Sequence, residues 1–342
     1  MVDATGTSLP PLVIANPAAR SGRTRGEIEA IVTALQDRIG PVDLALTDRA
    51  GHATALAAGA VAERRRLVIS VGGDGVLSEV VNGLLALPGP PPPETLPALG
   101  IVSAGTGGDF GRSLDIAPER DAFIAAIAAG RERLVDVGRA RFTGNDGRIR
   151  ERYFVNVLSA GIGGLVDRYT AAMPAVVPGR VAYGAATLGA VVACRRRQLT
   201  CRATLADGTA FERALDTYAV VIANGHTFGG GMRVAPAARV DDGLLDVVLV
   251  ATPTKVTMLR HFLSIYRGEH LTKPGVSAFA CTRVEVLAGA GGQGSKPTPA
   301  RSPAGSPGTR PGSLFPLDVD GDALGDIPLR VEVVPAALRV LA

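Results

Sequence analysis

A short apolar run in this chain breaks into glycines around one aspartate, and few folds accommodate that pattern. Residues 67–71 are rich in β-branched side chains and run into Gly72-Gly73-Asp74-Gly75. Such a run predicts a buried strand. Apolar residues then recur at positions 77, 80, 81, 84 and 85, which form one face of a helix. The glycines therefore occupy a tight turn between a buried strand and a helix.

This turn is suited to holding an anion. Glycine lets backbone N–H groups approach a ligand, and the start of a helix carries partial positive charge. An ordinary strand-to-helix turn without a ligand is the alternative, but such a turn needs fewer glycines. The segment matches neither the Walker A loop nor the dinucleotide fingerprint. The turn therefore suits a nucleotide that is held in neither of those two ways.

Asp74 narrows the chemistry further. A carboxylate pointed at phosphate groups would be repelled by them. Its position is reasonable if a divalent cation lies between the carboxylate and the phosphates, or if the carboxylate contacts a hydroxyl group instead. The sequence thus predicts a cation or a hydroxyl beside Asp74.

Strand and helix patterns alternate through the first third of the chain. The predicted strands cover residues 12–15, 42–46, 67–71 and 99–102. This alternation is typical of a parallel sheet with helices on both faces. Ligands of such folds bind outside the carboxyl ends of the strands. Four features lie at those ends, namely Asn16, Thr47, the turn 72–75 and a second glycine-rich turn at 105–109.

The pattern changes after about residue 134. Gly144-Asn145-Asp146-Gly147 is a strong hairpin signal, and most later apolar runs, including residues 153–158, are predicted to be strands. Two helices are predicted, and the second half is expected to be mainly antiparallel β structure. The predicted units are a disordered lead-in at 1–10, an α/β domain at 11–134, a β-rich domain at 135–322 with a disordered insertion at 288–313, and a segment at 323–342 that packs back toward the first domain.

Charge and composition limit the partners. The net charge is only +4, and the arginine clusters at 64–66 and 195–197 are solvated helix ends or contacts with acidic lipid head groups. No aromatic residues interleave these clusters, so nucleic acid is not an expected partner. The three cysteines show no metal or redox spacing, and the N-terminus shows no signal peptide. A cytoplasmic protein with at most peripheral contact to the inner membrane surface is expected.

Five motifs in a fixed order resemble the catalytic domain of diacylglycerol and sphingosine kinases, and most of all the small soluble bacterial lipid kinases. The motifs are Asn16-Pro17, Gly72-Gly73-Asp74-Gly75, the turn 105–110, the stretch 224–236 with 241–246, and Asp320-Gly321-Asp322. The resemblance runs from Leu12 to Ala342, apart from the insertion. It implies an α/β nucleotide-binding domain, a β-sandwich-like C-terminal domain, and ATP in the cleft between them.

The resemblance also implies roles for individual residues. Asp74 and Asp109 would manage Mg²⁺ and position the phosphates, and Asp322 would be the base that accepts the proton of the attacking hydroxyl. A second, structural Mg²⁺ would be held by the Asp242 carboxylate and main-chain carbonyls near Arg239 and Leu244, although a simple Asx turn is the alternative there. The nucleotide contacts would be Asn16, Pro17, Arg20, Thr47, Gly72, Gly73, Asp74, Gly75, Val76, Leu77, Ser78 and Thr106.

Three positions depart from the family pattern. Val76 replaces a threonine, Gly108 replaces an asparagine, and Asp322 replaces a glutamate whose side chain is one methylene longer. A displacement of about 1 Å can lower a rate ~100-fold. Either the loop moves closer, Asp320 takes over, or the protein is a slow kinase.

The expected function is that of an ATP-dependent lipid kinase, which transfers the γ-phosphate to a hydroxyl of a membrane lipid such as diacylglycerol, in phospholipid metabolism. One alternative is a soluble-metabolite kinase of the NAD kinase type. Another is a nucleotide- or lipid-binding regulator with impaired catalysis. An apolar second cleft favours a lipid, whereas a polar pocket with converging arginines favours a phosphorylated metabolite. The sequence leaves the oligomeric state open, a homodimer included.

Overall fold

A computed structural model describes residues 9–17, 25–86, 91–103, 108–173, 179–289 and 315–342. Two of the predicted nucleotide contacts, Arg20 and Thr106, lie outside these ranges. So do most of the predicted lead-in and nearly all of the predicted insertion.

The first half contains the predicted parallel sheet. Its strands are β1 (Leu12–Ala15), β2 (Asp43–Leu46), β3 (Leu67–Gly72) and β4 (Ala98–Ser103), in the order β2-β1-β3-β4. All of these pairings are parallel. Five helices lie between or after the strands, namely α1 (Arg25–Ile39), α2 (His52–Ala62), α3 (Asp74–Leu84), α4 (Asp109–Ser113) and α5 (Arg120–Ala129). The predicted alternation is confirmed, and the apolar residues of α3 are buried as its periodicity indicates.

The second half is built mainly of antiparallel strands. They are β5 (Glu132–Gly144), β6 (Ile149–Phe154), β7 (Val157–Gly161), β8 (Arg197–Leu205), β9 (Ala210–Thr217), β10 (Ala219–Ala223), β11 (Leu245–Val250), β12 (Val276–Ala288), β13 (Pro316–Val319) and β14 (Asp322–Leu341). The helices are α6 (Ile162–Ala172), α7 (Gly179–Ala193) and α8 (Lys255–Phe262), and the 3-10 helix Leu263–Arg267 follows α8. The hairpin predicted at 144–147 joins β5 to β6.

Strand β14 joins the two halves. It pairs antiparallel with β5, β12 and β13, and near its end Val340 pairs in parallel with Leu99 of β4. The last segment of the chain therefore lies against the parallel sheet, while its first part belongs to the β-rich half. Two separate apolar cores lie on either side of this junction. Residues from three of the sequence motifs, at 72–75, 224–236 and 320–322, line the cleft between the two halves.

The helices of the described part of the chain are too short or too polar to cross a membrane.

Candidate active site

The carboxyl ends of the parallel strands converge as their sequence predicts. Asn16 and Pro17 follow β1, and Thr47 follows β2, where its buried backbone N–H donates to the carbonyl of Ala15 at 2.9 Å. The glycine turn follows β3 directly. These predicted nucleotide contacts share one edge of the sheet; their roles remain predictions.

The glycine turn presents backbone rather than side chains to the cleft. Gly73 is the N-cap of α3 and provides no side chain to cap the first N–H groups of the helix. The N–H of Leu77 already donates to the carbonyl of Gly73 at 3.3 Å, so a ligand at this helix start would meet the N–H groups before it, those of Gly73, Asp74, Gly75 and Val76. A β-carbon on Gly72 would lie 2.9 Å from Cγ2 of Val76, which explains the need for glycine there. The arrangement suits a phosphate group.

Asp74 sits in a strongly negative environment. Its pKa is raised to about 7, first by burial and then by the charges of Asp109 and Asp320, while the backbone N–H of Gly108 donates to it and lowers the pKa. Carboxylate oxygens are ligands that Mg²⁺ prefers. A divalent cation would offset the crowding of negative charge, so the Asp74 carboxylate suits the predicted metal, with water or phosphate oxygens as the other ligands.

Asp109 connects the two halves of the molecule. It is 2% exposed, and its carboxylate accepts hydrogen bonds from the backbone N–H groups of Gly230 and Gly231, each at 2.8 Å. Arg112 donates to it as well, also at 2.8 Å. Asp109 therefore fixes the glycine loop of the second half against α4 of the first. Its predicted role in managing Mg²⁺ stays a prediction.

Asp320 explains why the single strand predicted at 153–158 is wrong. The structure places β6 and β7 there, with a break at Val155 and Asn156. The backbone N–H groups of Val155, Asn156 and Val157 all turn toward the buried Asp320 carboxylate, at 3.0, 3.1 and 3.0 Å. Because this carboxylate accepts hydrogen bonds from three backbone amides, Asp320 holds the walls of the cleft together. It is poorly placed to replace Asp322 as the base.

Replacing Asp320 should destabilise the protein strongly. Asp320→Ala leaves three buried N–H groups without their acceptor and puts alanine at a φ of 49°, so we expect a loss of about 3–5 kcal/mol in unfolding free energy. Asp320→Asn keeps one carbonyl oxygen and should lie between that variant and the wild type. Urea unfolding followed by far-UV circular dichroism measures the difference, and the exposed Asp121→Ala is the control. An Asp320→Ala variant as stable as that control would contradict the anchoring role.

Asp322, the predicted base, is the more accessible carboxylate. Its side chain is 40% exposed, and Nη2 of Arg152 donates to its Oδ2 at 3.2 Å. The same Nη2 lies 3.3 Å from Oγ of Ser78 in α3. Burial raises the pKa of Asp322, while Arg152 lowers it and Glu79 raises it. Arg152 thus holds the shorter carboxylate against the helix that follows the glycine turn.

Asp167 and Asp318 form a carboxyl pair that the sequence patterns did not predict. They are hydrogen-bonded to each other, so they share a proton. Burial raises the pKa of Asp167 to about 7 and the pKa of Asp318 well above its usual range. Asp318 also accepts the backbone N–H of Gly321 at 2.8 Å. The pair lines the cleft close to the predicted base.

These raised pKa values predict a pH dependence of stability. The unfolded chain titrates aspartate near 3.9, whereas Asp167 and Asp320 titrate at about 7 and about 6 when folded. Between the unfolded and the folded pKa values, the folded state therefore binds more protons than the unfolded chain. The free energy of unfolding should fall as the pH rises through 6 and 7. Melting temperatures in Mg²⁺-free buffer should drop by several degrees between pH 5.5 and pH 8. Asp167→Asn should flatten the dependence; an unchanged slope would contradict its assigned pKa.

The turn predicted to hold a structural Mg²⁺ lies away from these groups. The Asp242 carboxylate accepts the backbone N–H of Leu244 at 3.0 Å, which is an Asx turn. Asp241 pairs with Arg133 at 2.9 Å and also with Arg239. Within the described ranges, no group of three or more His, Cys, Asp or Glu side chains is arranged to hold a metal. A site made of Asp242 and the carbonyls near Arg239 and Leu244 stays a prediction.

A cavity of about 1160 Å³ opens from the glycine turn into the second half. Carboxylates line it near the turn, and aliphatic side chains line much of the rest. The first group is Asp74, Asp109, Asp167, Asp318 and Asp320; the second includes Val157, Val166, Val221, Met232, Val248 and Ile265. No lysine or arginine is found among its described lining residues. The cavity is therefore acidic beside the turn and apolar beyond it.

Some of the cleft residues that were not predicted do have a signal in the sequence. Asp318, Asp320 and Asp322 stand within five residues, which marks an acidic cluster at the turn between β13 and β14. Asp167 lies three residues after Gly161-Ile162-Gly163-Gly164, a glycine-rich stretch at the end of β7 and the start of α6. Arg152 carried no signal, because it contacts Asp322 from a position 170 residues away.

Comparison with known proteins agrees with the fold and the motifs. Residues 10–140 match the diacylglycerol kinase catalytic domain, and residues 156–342 match the YegS C-terminal NAD kinase beta sandwich-like domain. A crystal structure of a diacylglycerol kinase from Bacillus anthracis has a TM-score of 0.63 and 19% identity, covering 97% of this chain and 96% of that one. It shows the same fold.

Two relatives in sequence are similar over most of the chain. A diacylglycerol kinase from Mycobacterium tuberculosis is 30% identical over 330 residues, which is 96% of this chain and 93% of the relative. A diacylglycerol kinase from Bacillus subtilis is 29% identical over 245 residues, covering 70% and 73%. Together with the cleft geometry, these matches show that the chain belongs to the family of diacylglycerol kinases and YegS-like lipid kinases and is a kinase that acts on lipids.

Proposed function

We propose that this kinase transfers the γ-phosphate of ATP to a hydroxyl group of diacylglycerol or a related lipid alcohol at the inner membrane surface, with Mg²⁺ as the metal. The cavity carries this proposal. Its volume of about 1160 Å³ exceeds the roughly 300–1,000 Å³ of typical small-molecule sites. Its apolar walls suit acyl chains, and the names of the relatives support diacylglycerol as acceptor.

The same cavity argues against a soluble phosphorylated acceptor. Such an acceptor would need cationic partners for its phosphate groups. The described walls of the cavity offer carboxylates and aliphatic side chains instead. A neutral lipid hydroxyl on an apolar body fits this surface better than a dinucleotide or a sugar phosphate.

Each group in the cleft has a role in the proposed reaction. Backbone N–H groups of the glycine turn bind the phosphates of ATP. Asp74 would hold Mg²⁺, with Asp109 adding negative charge behind it; the metal would neutralise charge on the transferred phosphoryl group. Asp322 accepts the proton of the lipid hydroxyl while the hydroxyl oxygen forms a bond to the γ-phosphorus. The bond between the γ-phosphorus and the β,γ-bridging oxygen breaks, and ADP leaves. Arg152 orients Asp322.

The test is transfer of labelled phosphate from [γ-³²P]ATP. Acceptors are diacylglycerol, phosphatidylglycerol, a long-chain amino alcohol and NAD, each with Mg²⁺ and again with excess chelator. We expect labelled phosphate to appear on a lipid acceptor when Mg²⁺ is present, and no labelled lipid when the chelator removes Mg²⁺. Label on NAD alone would favour the soluble-metabolite kinase. Calorimetric ATP binding without transfer to any acceptor would favour a regulator without catalysis.

A further inference from the structure

Exposed apolar side chains concentrate at one place on the molecule. In the described ranges, eight large apolar side chains are strongly exposed, and five of them lie on α7, α8 and the 3-10 helix that follows. We call these five the helical rim: Leu188, Val192, Val256, Leu259 and Tyr266, exposed by 60, 70, 62, 49 and 44%. Scattered single apolar residues are ordinary on protein surfaces, whereas a contiguous group marks an interaction site.

The helical rim is continuous with the apolar cavity. Leu188, Leu259 and Tyr266 line the cavity and are exposed at the same time, so they lie at its mouth. Lys255 at the start of α8 donates to the carbonyl of Val192 in α7, which joins the two helices. A molecule that leaves the rim toward the interior therefore meets aliphatic walls before it reaches the carboxylates.

The segments that carry the helical rim are positively charged. Residues 184–200 and 253–268 contain six basic residues and no acidic one. Arg196 and Arg267 pair with acidic residues of other segments, Asp216 and Glu269. Arg195 and Arg260 are exposed beside the apolar group. Apolar side chains with flanking cations are the combination that binds an anionic bilayer surface.

We propose that the helical rim inserts into the head-group boundary of an anionic lipid bilayer, so that a lipid passes from the bilayer into the cavity without crossing water. This deepens the proposed function, since it depends on the cavity being the lipid site. The apolar side chains would bury among acyl chains, while Arg195, Arg260 and Lys255 would contact phosphates. The bilayer is favoured over a second copy of the chain because the rim surrounds an opening with excess positive charge, which would repel its own copy.

Sedimentation with vesicles tests the surface without any catalysis. Vesicles made of equal parts phosphatidylcholine and phosphatidylglycerol should carry the wild-type protein down, and added salt should weaken binding. Val192→Asp/Val256→Asp should lower binding about tenfold or more, and Arg195→Gln or Arg260→Gln about fivefold each. The matched control is Leu134→Asp/Ile149→Asp, two exposed apolar residues on β5 and β6, which should bind like the wild type. Circular dichroism checks that each variant is folded.

Kinase assays in two substrate forms separate this proposal from the proposed function. The rim variant should phosphorylate detergent-dispersed diacylglycerol at the wild-type rate and vesicle-embedded diacylglycerol at least several-fold more slowly. If vesicle binding depends on the rim but no kinase activity is found, the proposed function is overturned and the docking surface stands. Equal loss of vesicle binding in the rim and control variants would overturn the docking surface. So would a wild-type dimer in light scattering that the rim variant abolishes while vesicle binding stays unchanged.

Discussion

Asp322→Asn is expected to lower kcat for lipid phosphorylation by about 100- to 10,000-fold, the usual effect of losing a general base. The Michaelis constant for ATP should hardly change, because Asp322 is not one of the predicted nucleotide contacts and is hydrogen-bonded to Arg152. The amide keeps nearly the same shape but cannot take a proton. Asp322→Glu, which restores the family's usual side chain, should retain a base and exceed the Asn variant. Steady-state kinetics with detergent-dispersed diacylglycerol measures both.

Arg152 provides an internal check on this assignment. If Arg152 acts by holding Asp322, Arg152→Met should lower kcat, and Arg152→Lys should lower it less. Arg152→Met combined with Asp322→Asn should be no slower than Asp322→Asn alone, because the two side chains act as one unit. If the double variant instead lowers kcat by the product of the two single effects, Arg152 acts independently of Asp322, for instance through its contact with Ser78. Asp322→Asn activity within about threefold of the exposed control Asp121→Asn would rule out Asp322 as the base.

Asp74→Asn is expected to lower kcat/KM by about 100- to 1000-fold, the size of losing one preorganised electrostatic contact to the reacting phosphate. The physical reason differs from that for Asp322. Asp74 lies near the carboxylates of Asp109 and Asp320, so under the proposed function ATP binds there only with a cation between the carboxylate and the phosphates. The variant should therefore bind ATP with an affinity that no longer depends on Mg²⁺, and its Michaelis constant for ATP should rise.

Calorimetric titration of ATP with and without Mg²⁺ decides the role of Asp74. Wild-type affinity should increase on adding Mg²⁺, and Asp121→Asn, exposed in the first turn of α5, should behave like the wild type. Wild-type binding that is indifferent to Mg²⁺ would remove the reason for a carboxylate at this turn. If the ATP affinity of Asp74→Asn still depends on Mg²⁺, other residues hold the cation.

Local patterns predicted a large part of the fold. The β3 strand, its glycine turn and α3 all lie within about 20 consecutive residues, and their periodicities are strong enough to identify them from sequence. The convergence of Asn16, Thr47 and the turn 72–75 followed because parallel strands end at a common edge. The hairpin at 144–147 followed from turn chemistry alone.

Long-range contacts were beyond that reasoning. Residues 153–158 read as one strand because all but Asn156 and Tyr153 are aliphatic or aromatic apolar residues, yet Asp320 breaks the strand from 163 to 165 residues away. The resemblance left three outcomes open for Asp322, and contacts of Asp320 and Arg152 favour Asp322 itself.

Neighbours along the chain specify the strand–turn–helix unit and the order of the motifs, and the kinase family follows from these. The folded chain was needed to see that Asp320 is an anchor, that Arg152 holds Asp322, and that α7 and α8 form one apolar rim at a cavity mouth. Those relations depend on how β14 and the antiparallel strands bring distant segments together. Side-chain periodicity records which face of an element is buried, but not which remote residue will lie against it.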